Sequence, residues 1–219
     1  MSADVDIRQL HRDLVDSHGQ PEKTYSEDGV RQLLTTILSQ NVADPQTAAA
    51  AENLFATYRD YGEIEAADHD ELADVIETAG LKNQKAARIQ RALGAIREET
   101  GGEYTLAFLD EMATDAAKSW LTAIKGIGPK TASVVLNFHF EKPTMAVDTH
   151  VERVSKRYGL VPESASNQRA HDVLNEVVPD DLKYSLHVLL ITHGREYCTA
   201  QSPDCDNPVC RDYCDCRGC

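Results

Sequence analysis

Apolar residues recur along most of the chain at the three- and four-residue spacing of amphipathic helices. The clearest stripe consists of Val30, Leu33, Leu34, Ile37 and Leu38. A short helix near the start is marked by Ile7, Leu10 and Leu14. The same spacing predicts helices over residues 47–58, 86–96, 117–124, 131–138, 147–158, 167–177 and 182–193. No run alternates apolar and polar residues between hairpin turns, so the predicted fold class is all-α.

The segment after His193 differs from the rest of the chain. Gly, Pro, Asp and Cys dominate it and the apolar periodicity stops, which predicts an irregular loop. All six cysteines of the chain lie between Cys198 and Cys219. Such crowding leaves distant parts of the chain unlinked, and nothing in the sequence indicates secretion. A metal site in a reducing compartment is therefore favoured over a disulfide framework.

Composition and charge narrow the class of protein. With 219 residues, 42% of them apolar and 26% charged, the chain is globular and long enough for one large domain or two small ones. It has no apolar run near the ~20 residues that span a bilayer, and its N-terminus lacks the pattern of a secretory signal. The net charge of −14 argues against nucleic-acid binding through bulk charge, but it leaves room for a local basic face. Such acidity is typical of a strongly hydrated surface and suits a halophilic cytoplasm.

Residues 117–138 contain two predicted helices joined by a short Gly-Ile-Gly turn. Pro129 then stands where a first helical residue needs no N–H. The glycines expose backbone N–H groups, which favour an anion site together with the N-terminus of the second helix and the flanking Lys125 and Lys130. Ile127 is expected to point inward. This pattern is typical of a helix-hairpin-helix, which binds a DNA phosphate without reading bases. On the glycines alone, an ordinary helix connection is the simpler interpretation.

Two adjacent segments resemble the helix-hairpin-helix DNA glycosylases, most closely the endonuclease III family: IKGIGPKTASVVLNF and PTMAVDTHVERVSKR. The DNA-facing loops of that family are similar to ILSQNVAD at residues 37–44 and TAGLKNQKA at residues 78–86. Its iron–sulfur loop is similar to the cysteine-rich tail at residues 198–219. The resemblance implies two all-α lobes with a cleft between them: a six-helix lobe of residues 24–142, and a cluster lobe of residues 1–23 and 143–219.

The resemblance assigns catalysis to Lys130 and Asp148, which fall on the family's nucleophile and catalytic carboxylate. Breaking an N-glycosidic bond leaves positive charge on the sugar, which a carboxylate stabilises. A neutral lysine can displace the base and form a Schiff base, which permits β-elimination. The positive end of a helix dipole at Lys130 disfavours the ammonium form. Taken alone, each residue has a simpler interpretation: Lys130 as a phosphate contact, and Asp148 as the N-cap of a helix beginning at Thr149.

The family flips the damaged nucleotide out of the duplex, so another side chain must fill the gap. The resemblance assigns this task to Asn41, where the family often has the longer Gln. Leu81, next to Gly80, is the candidate apolar wedge, with packing at a helix C-terminus as the alternative. Asp44 is expected to cap a helix over residues 45–57 or to shape the pocket. The expected DNA contacts are Asn41, Leu81, Lys125, Gly126 and Gly128.

A [4Fe–4S] cluster needs four thiolates, and the resemblance implies one in the tail. The family's ligand spacing matches Cys198, Cys205 and Cys214 as first, second and fourth ligands. The third position is Pro208, and the nearest thiol is Cys210. The predicted ligands are therefore Cys198, Cys205, Cys210 and Cys214. Two alternatives stay open, because Cys216 competes for the last place and the pair Cys216 and Cys219 is spaced as in zinc sites.

The cluster is expected to be structural, folding a loop that presents Arg195, Arg211 and Arg217 to the DNA backbone. His193 is interpreted as a hydrogen-bonding residue at a helix end rather than as a ligand. The predicted function is a bifunctional DNA glycosylase that excises oxidised pyrimidines and cleaves the abasic site by β-elimination. Its partner would be double-stranded DNA with a damaged base or abasic site, bound by a cytoplasmic, nucleoid-associated monomer without a membrane partner.

Three alternative functions stay open. A mismatch glycosylase of the same fold would remove thymine or uracil, although Lys130 argues against a version that uses water alone. A non-catalytic DNA-binding iron–sulfur protein would bind an abasic site without cleaving it. An iron–sulfur electron carrier would leave the Lys130–Asp148 pair unexplained.

Overall fold

A computed structural model describes residues 5–214 of the chain, and the regular structure in that range is helical. The helices are α1 (Ile7–His18), α2 (Gly29–Leu38), α3 (Asp44–Thr57), α4 (Tyr61–Ala66), α5 (His69–Val75), α6 (Lys82–Glu99), α7 (Phe108–Glu111), α8 (Thr114–Ala123), α9 (Pro129–Phe138), α10 (Thr149–Arg157), α11 (Asn167–Val177), α12 (Lys183–Glu196) and α13 (Pro208–Tyr213). Short 3-10 turns occupy Glu77–Ala79 and Asp180–Leu182. Residues 5–214 contain no strand, which confirms the all-α prediction.

Aspartate begins many of these helices. The N-cap residues of five of them are Asp6, Asp28, Asp60, Asp68 and Asp148. Each carboxylate accepts one or two hydrogen bonds from backbone N–H groups of the first turn and faces the positive end of the helix dipole. Part of the acidic excess therefore builds helices.

The chain forms two compact units, which we describe separately. The central unit is Tyr25–Lys142, and the terminal unit joins Met1–Thr24 to Pro143–Cys219. In the central unit, α2 packs against α3, α6 and α9, while α8 packs against α9. The stripe predicted for α2 is buried in this core, and Leu33, Leu34 and Ile37 are completely enclosed.

The terminal unit is built around α12, which packs against α10 and α1, and α13 packs against α1. Leu10 and Leu14 of α1 are buried here with Val151 and Val154 of α10. Part of the cysteine-rich tail belongs to the same core, including Cys198, Val209 and Cys210.

Two expectations about local structure were wrong. The tail is not irregular throughout, because α12 continues to Glu196 and α13 forms beyond it, with Pro208 in its first turn and its N-cap Asn207 accepting a hydrogen bond from the Val209 N–H. The capping alternative for Asp44 fails, because Asp44 is the first helical residue of α3 and the N-cap is Ala43, which makes no side-chain capping hydrogen bond. Within residues 5–214, none of the helices combines the length and apolar character of a membrane span.

Candidate active site and DNA interface

The turn between α8 and α9 has its shape fixed by one glycine and one buried apolar residue. Gly126 has a φ of +105°, which side-chain-bearing residues rarely adopt, and a Cβ on it would come within 2.6 Å of the Arg88 side chain. Ile127 is buried in the central core, as predicted, and its N–H donates to the Ile124 carbonyl at 2.9 Å. A side chain at residue 126 would therefore disturb this turn.

The N-terminus of α9 is open to a ligand. Its N-cap is Gly128, which has no side chain to satisfy the first backbone N–H groups, and Pro129 begins the helix. A Cβ on Gly128 would meet no atom within 4 Å, so the space in front of it is free. The half-buried Lys130 is the second residue of this helix, and Lys125 is exposed on the turn. An uncapped helix N-terminus beside lysines is a favourable anion site.

Asp148 is the N-cap of α10. Its Oδ1 accepts hydrogen bonds from the N–H groups of His150 at 2.9 Å and Val151 at 2.8 Å. The simpler interpretation of this residue is thus confirmed. It is compatible with catalysis, because both bonds use the same carboxylate oxygen.

The two candidate gap-filling residues share an uncommon backbone conformation. Asn41 and Leu81 have φ values of +57° and +49°, in the left-handed region that such residues rarely occupy. Non-glycine residues held in this region cluster at functional sites. Asn41 is exposed, and Leu81 is 49% exposed, which argues against packing at a helix C-terminus. Among the large apolar side chains of residues 5–214, only Leu81 and Val177 are exposed.

Sequence reasoning missed a row of basic residues on α6. Lys85 is completely buried, and its Nζ donates to the carbonyl oxygens of Leu38 at 2.7 Å and Ala79 at 2.6 Å. Burial lowers the pKa of Lys85, and the nearby Arg88 lowers it further. Leu38 precedes the Asn41 loop and Ala79 precedes Leu81, so one ammonium group holds both loops.

The next two members of this row hold the hairpin. The Arg88 guanidinium donates to the Gln40 side-chain oxygen, and the Gln40 amide donates to the Thr131 hydroxyl at 3.2 Å. Arg91 Nη1 donates to the Lys125 carbonyl at 2.9 Å. The spacing Lys85, Arg88, Arg91 was the available sequence signal, since residues three apart share a helix face.

The four described cysteines of the tail are of two kinds. Cys198 and Cys210 are buried and free, whereas Cys205 and Cys214 each take part in a disulfide. Within the described part of the chain, no three His, Cys, Asp or Glu side chains are arranged to hold one metal ion. Cys216, Arg217 and Cys219 lie outside the described residues.

Groups that can donate hydrogen bonds surround the sulfurs of the two free thiols. Arg157 Nη1 donates to Cys198 Sγ at 3.2 Å, and the Tyr158 hydroxyl and His193 Nε2 both lie 3.3 Å from Cys210 Sγ. Such donors stabilise thiolates, so these two positions fit cluster ligands. Cys205 and Cys214 fit as cluster ligands only when their disulfides are reduced, because iron ligation needs a thiolate. Burial raises the pKa of the Cys210 thiol, and the hydrogen bond with Tyr158 lowers it by a smaller amount.

His193 is a buried hydrogen-bonding residue, as predicted. Its Nδ1 lies 2.9 Å from Nε2 of His18, and its Nε2 meets the Tyr158 hydroxyl. Burial lowers the pKa of His193 to about 4, and His18 adds to the effect. The neutral ring therefore joins α1, α10 and the tail.

With this geometry in place, comparison with known proteins decides the family. The sequence model of the HhH-GPD superfamily base excision DNA repair protein matches residues 34–180. The chain belongs to this superfamily. It is 32% identical to endonuclease III of Thermotoga maritima over 209 residues, 95% of this chain and 92% of the relative. Endonuclease III of Sulfolobus acidocaldarius is 35% identical over 184 residues, 83% of this chain and 79% of the relative.

The fold agrees with a solved structure of the same kind of enzyme. A trapped endonuclease III–DNA covalent intermediate superposes with a TM-score of 0.83 at 28% identity, covering 98% of this chain and 97% of the other. The prediction of a helix-hairpin-helix glycosylase fold is therefore confirmed. The chain is a base excision repair DNA glycosylase with abasic-site lyase activity, as the sequence predicts.

Proposed function

We propose that the chain excises oxidised pyrimidines from double-stranded DNA with Lys130 as nucleophile and Asp148 as catalytic carboxylate. The observation that carries this proposal is the position of Lys130 as the second residue of α9, a helix whose N-cap, Gly128, has no side chain to cap it. A DNA phosphate bound at this helix N-terminus brings the sugar–phosphate backbone next to the lysine. The endonuclease III of the solved relative is covalently joined to DNA, which supports a nucleophilic route.

Lys130 would carry the covalent step. Its neutral amine forms a bond to C1′ of the deoxyribose while the glycosidic bond breaks, and the base leaves with the bonding electron pair and takes up a proton. Opening of the sugar ring then gives a Schiff base, and loss of a proton from C2′ expels the 3′ phosphate. The amine must be neutral when it attacks, and the positive helix end at α9 favours that form.

Asp148 would stabilise the positive charge that develops on the sugar and accept a proton from the attacking amine. The cap supports this role, because the hydrogen bonds from the His150 and Val151 N–H groups fix the side chain in one orientation. Held in this way, the carboxylate needs no reorganisation during the reaction.

The DNA contacts follow from exposure and backbone geometry. Lys125, Gly126 and Gly128 would bind a phosphate at the hairpin. Asn41 would fill the space of the flipped nucleotide, and Leu81 would enter the groove as an apolar wedge. Both side chains are exposed on backbone held in a left-handed conformation, which fixes their direction without burying them.

We also propose a [4Fe–4S] cluster held by Cys198, Cys205, Cys210 and Cys214 in the reduced chain. When bound, such a cluster supplies a structural link that holds the tail. The exposed Arg195 and Arg211 of this region would then face the DNA backbone. The proposal is supported by the two buried free thiols and the donors around their sulfurs.

The substrate class is tested with a panel of duplexes that carry an oxidised pyrimidine, a T:G mismatch, a U:G mismatch or a preformed abasic site. We expect base release and strand cleavage with the oxidised pyrimidine, and strand cleavage with the abasic site. Release confined to the two mismatches would favour the mismatch glycosylase instead. Tight binding of the abasic duplex without cleavage would overturn the enzymatic assignment.

A further inference from the structure

The basic face of α6, defined as Lys85, Arg88 and Arg91, contacts three segments that the proposed function places against DNA. These are the gap loop (residues 38–43, with Asn41), the wedge turn (residues 79–81) and the hairpin turn (residues 124–128). Lys85 joins the first two through the carbonyl oxygens of Leu38 and Ala79, and Arg91 binds the third through the Lys125 carbonyl. Arg88, between them, contacts both the gap loop and the hairpin turn.

The contact of Arg88 with the gap loop passes on to the helix of the nucleophile. A guanidinium has only donors, so it fixes the Gln40 side-chain oxygen toward itself. The Gln40 amide nitrogen is thereby directed to the hydroxyl of the buried Thr131, 3.2 Å away. Thr131 directly follows Lys130 in α9. One planar amide therefore connects α6, the gap loop and α9.

The contact of Arg88 with the hairpin is made by its hydrocarbon part. The side chain lies against Gly126, where an added Cβ would come within 2.6 Å of Arg88 Cγ. Gly126 thus serves two purposes, since it adopts a φ of +105° and leaves room for Arg88. A shift of Arg88 would move both the turn and the Gln40 amide.

We infer that Arg88 is a positioning residue for base excision, which acts through Gln40 to hold Asn41 and Lys130 in register. The inference rests on the proposed roles of those two residues. The strained φ of Asn41 supports it, because a left-handed non-glycine residue persists only where its surroundings fix it, and Gln40 is its direct neighbour. The simplest alternative is that Arg88 binds a DNA phosphate through its charge.

A double-mutant cycle with Arg88→Met and Gln40→Ala separates these two roles, because Gln40 is neutral. The readouts are the single-turnover rate of base excision, the Kd for an abasic duplex at several salt concentrations, and the Tm. We expect each single variant to slow excision on the order of tenfold, because small misplacements of reacting groups have effects of this size or larger. The double variant should be no slower than the slower single variant. The salt dependence of the Kd should stay unchanged.

Arg97→Met is the matched control, because Arg97 lies on the same helix and pairs with Glu65 at 3.0 Å. It removes the same charge without touching the three segments, so excision should stay at the rate of the unmodified chain. Two results would overturn the inference. One is a silent Gln40→Ala combined with an Arg88→Met variant whose salt slope falls by about 0.9, the value for one phosphate contact. The other is multiplicative slowing in the double variant.

Failure of the proposed function is distinguishable from failure of this inference. If the unmodified chain releases no base from any duplex, the proposed function fails before Arg88 is tested. If Arg88→Met lowers the Tm so far that the chain unfolds under assay conditions, Gln40→Ala decides alone. Slowed excision by a folded Gln40→Ala variant with unchanged Kd supports the inference, and an unchanged rate rejects it.

Discussion

In the proposed mechanism, Asp148 combines two tasks in one carboxylate. Its Oδ1 is held by two backbone N–H groups at the start of α10, and catalysis would use the negative charge of the same group. An amide side chain caps a helix about as well as a carboxylate, but carries no charge. The two tasks can therefore be separated by a single substitution.

Asp148→Asn should leave the free energy of unfolding nearly unchanged, because the amide oxygen still accepts the two capping hydrogen bonds. Base excision should slow on the order of a hundredfold, because charge stabilisation and proton acceptance are lost. Single-turnover kinetics and denaturant unfolding measure the two effects. Asp148→Ala is the companion variant, which should also lose about 1 kcal/mol of stability with the cap. A normal excision rate in Asp148→Asn would leave capping as the only role of this residue.

Gly128 offers an equally sharp test of the hairpin. Its φ of −96° suits any residue, and an added side chain meets no neighbour within 4 Å, so substitution should not disturb the fold. Gly128→Asp and Gly128→Asn both supply the missing cap of α9 and should raise the free energy of unfolding by a few tenths of a kcal/mol.

Of these two variants, only Gly128→Asp places a negative charge at the proposed phosphate site. Its affinity for an abasic duplex should fall about tenfold or more below that of the Asn variant. Equal affinities would show that no phosphate binds there.

At the scale of helices, periodicity predicted the long ones and missed the short ones. The stripe from Val30 to Leu38 became the buried face of α2, because nine residues are enough to show a helical repeat. The one- and two-turn helices α4, α5, α7 and α13 are too short for such a repeat. Their start signals were local: Asp60, Asp68 and Asn207 cap three of them.

Helix α10, which Asp148 begins, is stabilised by contacts of the partly buried Glu152. The Glu152 carboxylate accepts from Lys156 Nζ at 2.6 Å and from the Asn167 amide at 2.7 Å, and these two partners hold the pKa of Glu152 below its ordinary value of 4.5. A carboxyl with a lowered pKa contributes stability above its ordinary pKa, and that contribution is lost as the pH falls through the lowered pKa.

Glu152→Gln should therefore cost about 0.5–1 kcal/mol at neutral pH, the range for a partly exposed ion pair. The difference from the unmodified chain should shrink as the pH falls below 4.5. Denaturant unfolding of both proteins across this pH range gives the comparison. A difference that persists unchanged in acid would mean that the ion pair is not its cause.

The cysteine tail leads to a prediction about metal content. Protein purified under reducing conditions should be brown, with broad absorbance at the blue edge of the visible spectrum, and should contain iron rather than zinc. Cys198→Ser or Cys205→Ser should abolish cluster retention, because each removes one of four thiolates. Cys219→Ser should retain it. A colourless, fully active protein with one zinc ion per chain would contradict the cluster proposal.

For the molecule as a whole, the family could be predicted from the sequence, whereas the contacts that hold its loops together could not. The helix starts that carry the two proposed catalytic residues, Lys130 and Asp148, were predictable because each has its own local signal, the Gly-Ile-Gly turn and the Asp-Thr-His start of a helix. The bonds from Lys85, Arg88 and Arg91 were not, because their acceptors are carbonyl and amide oxygens up to 48 positions away in the chain. Backbone oxygens leave no trace in a sequence.

The same limit applies to charge. A net charge of −14 says nothing about where the basic residues lie, and the structure gathers three of them on one face of α6. Five of the 36 acidic residues are used elsewhere as helix caps. The three basic residues of α6 bind protein oxygens and hold the loops, so an acidic net charge does not prevent a local cluster of basic residues.

The covalent step is the central claim, and borohydride trapping on an abasic duplex tests it most directly. If Lys130 forms the Schiff base, reduction during the reaction should join the unmodified chain to DNA. Lys130→Ala should lose both trapping and strand cleavage and still bind the duplex, weakened by no more than the ~1–3 kcal/mol of one charged contact. Lys156→Ala, which removes a lysine paired with Glu152, should trap normally. Undiminished trapping by the Lys130→Ala protein would place the nucleophile on another residue and contradict this account.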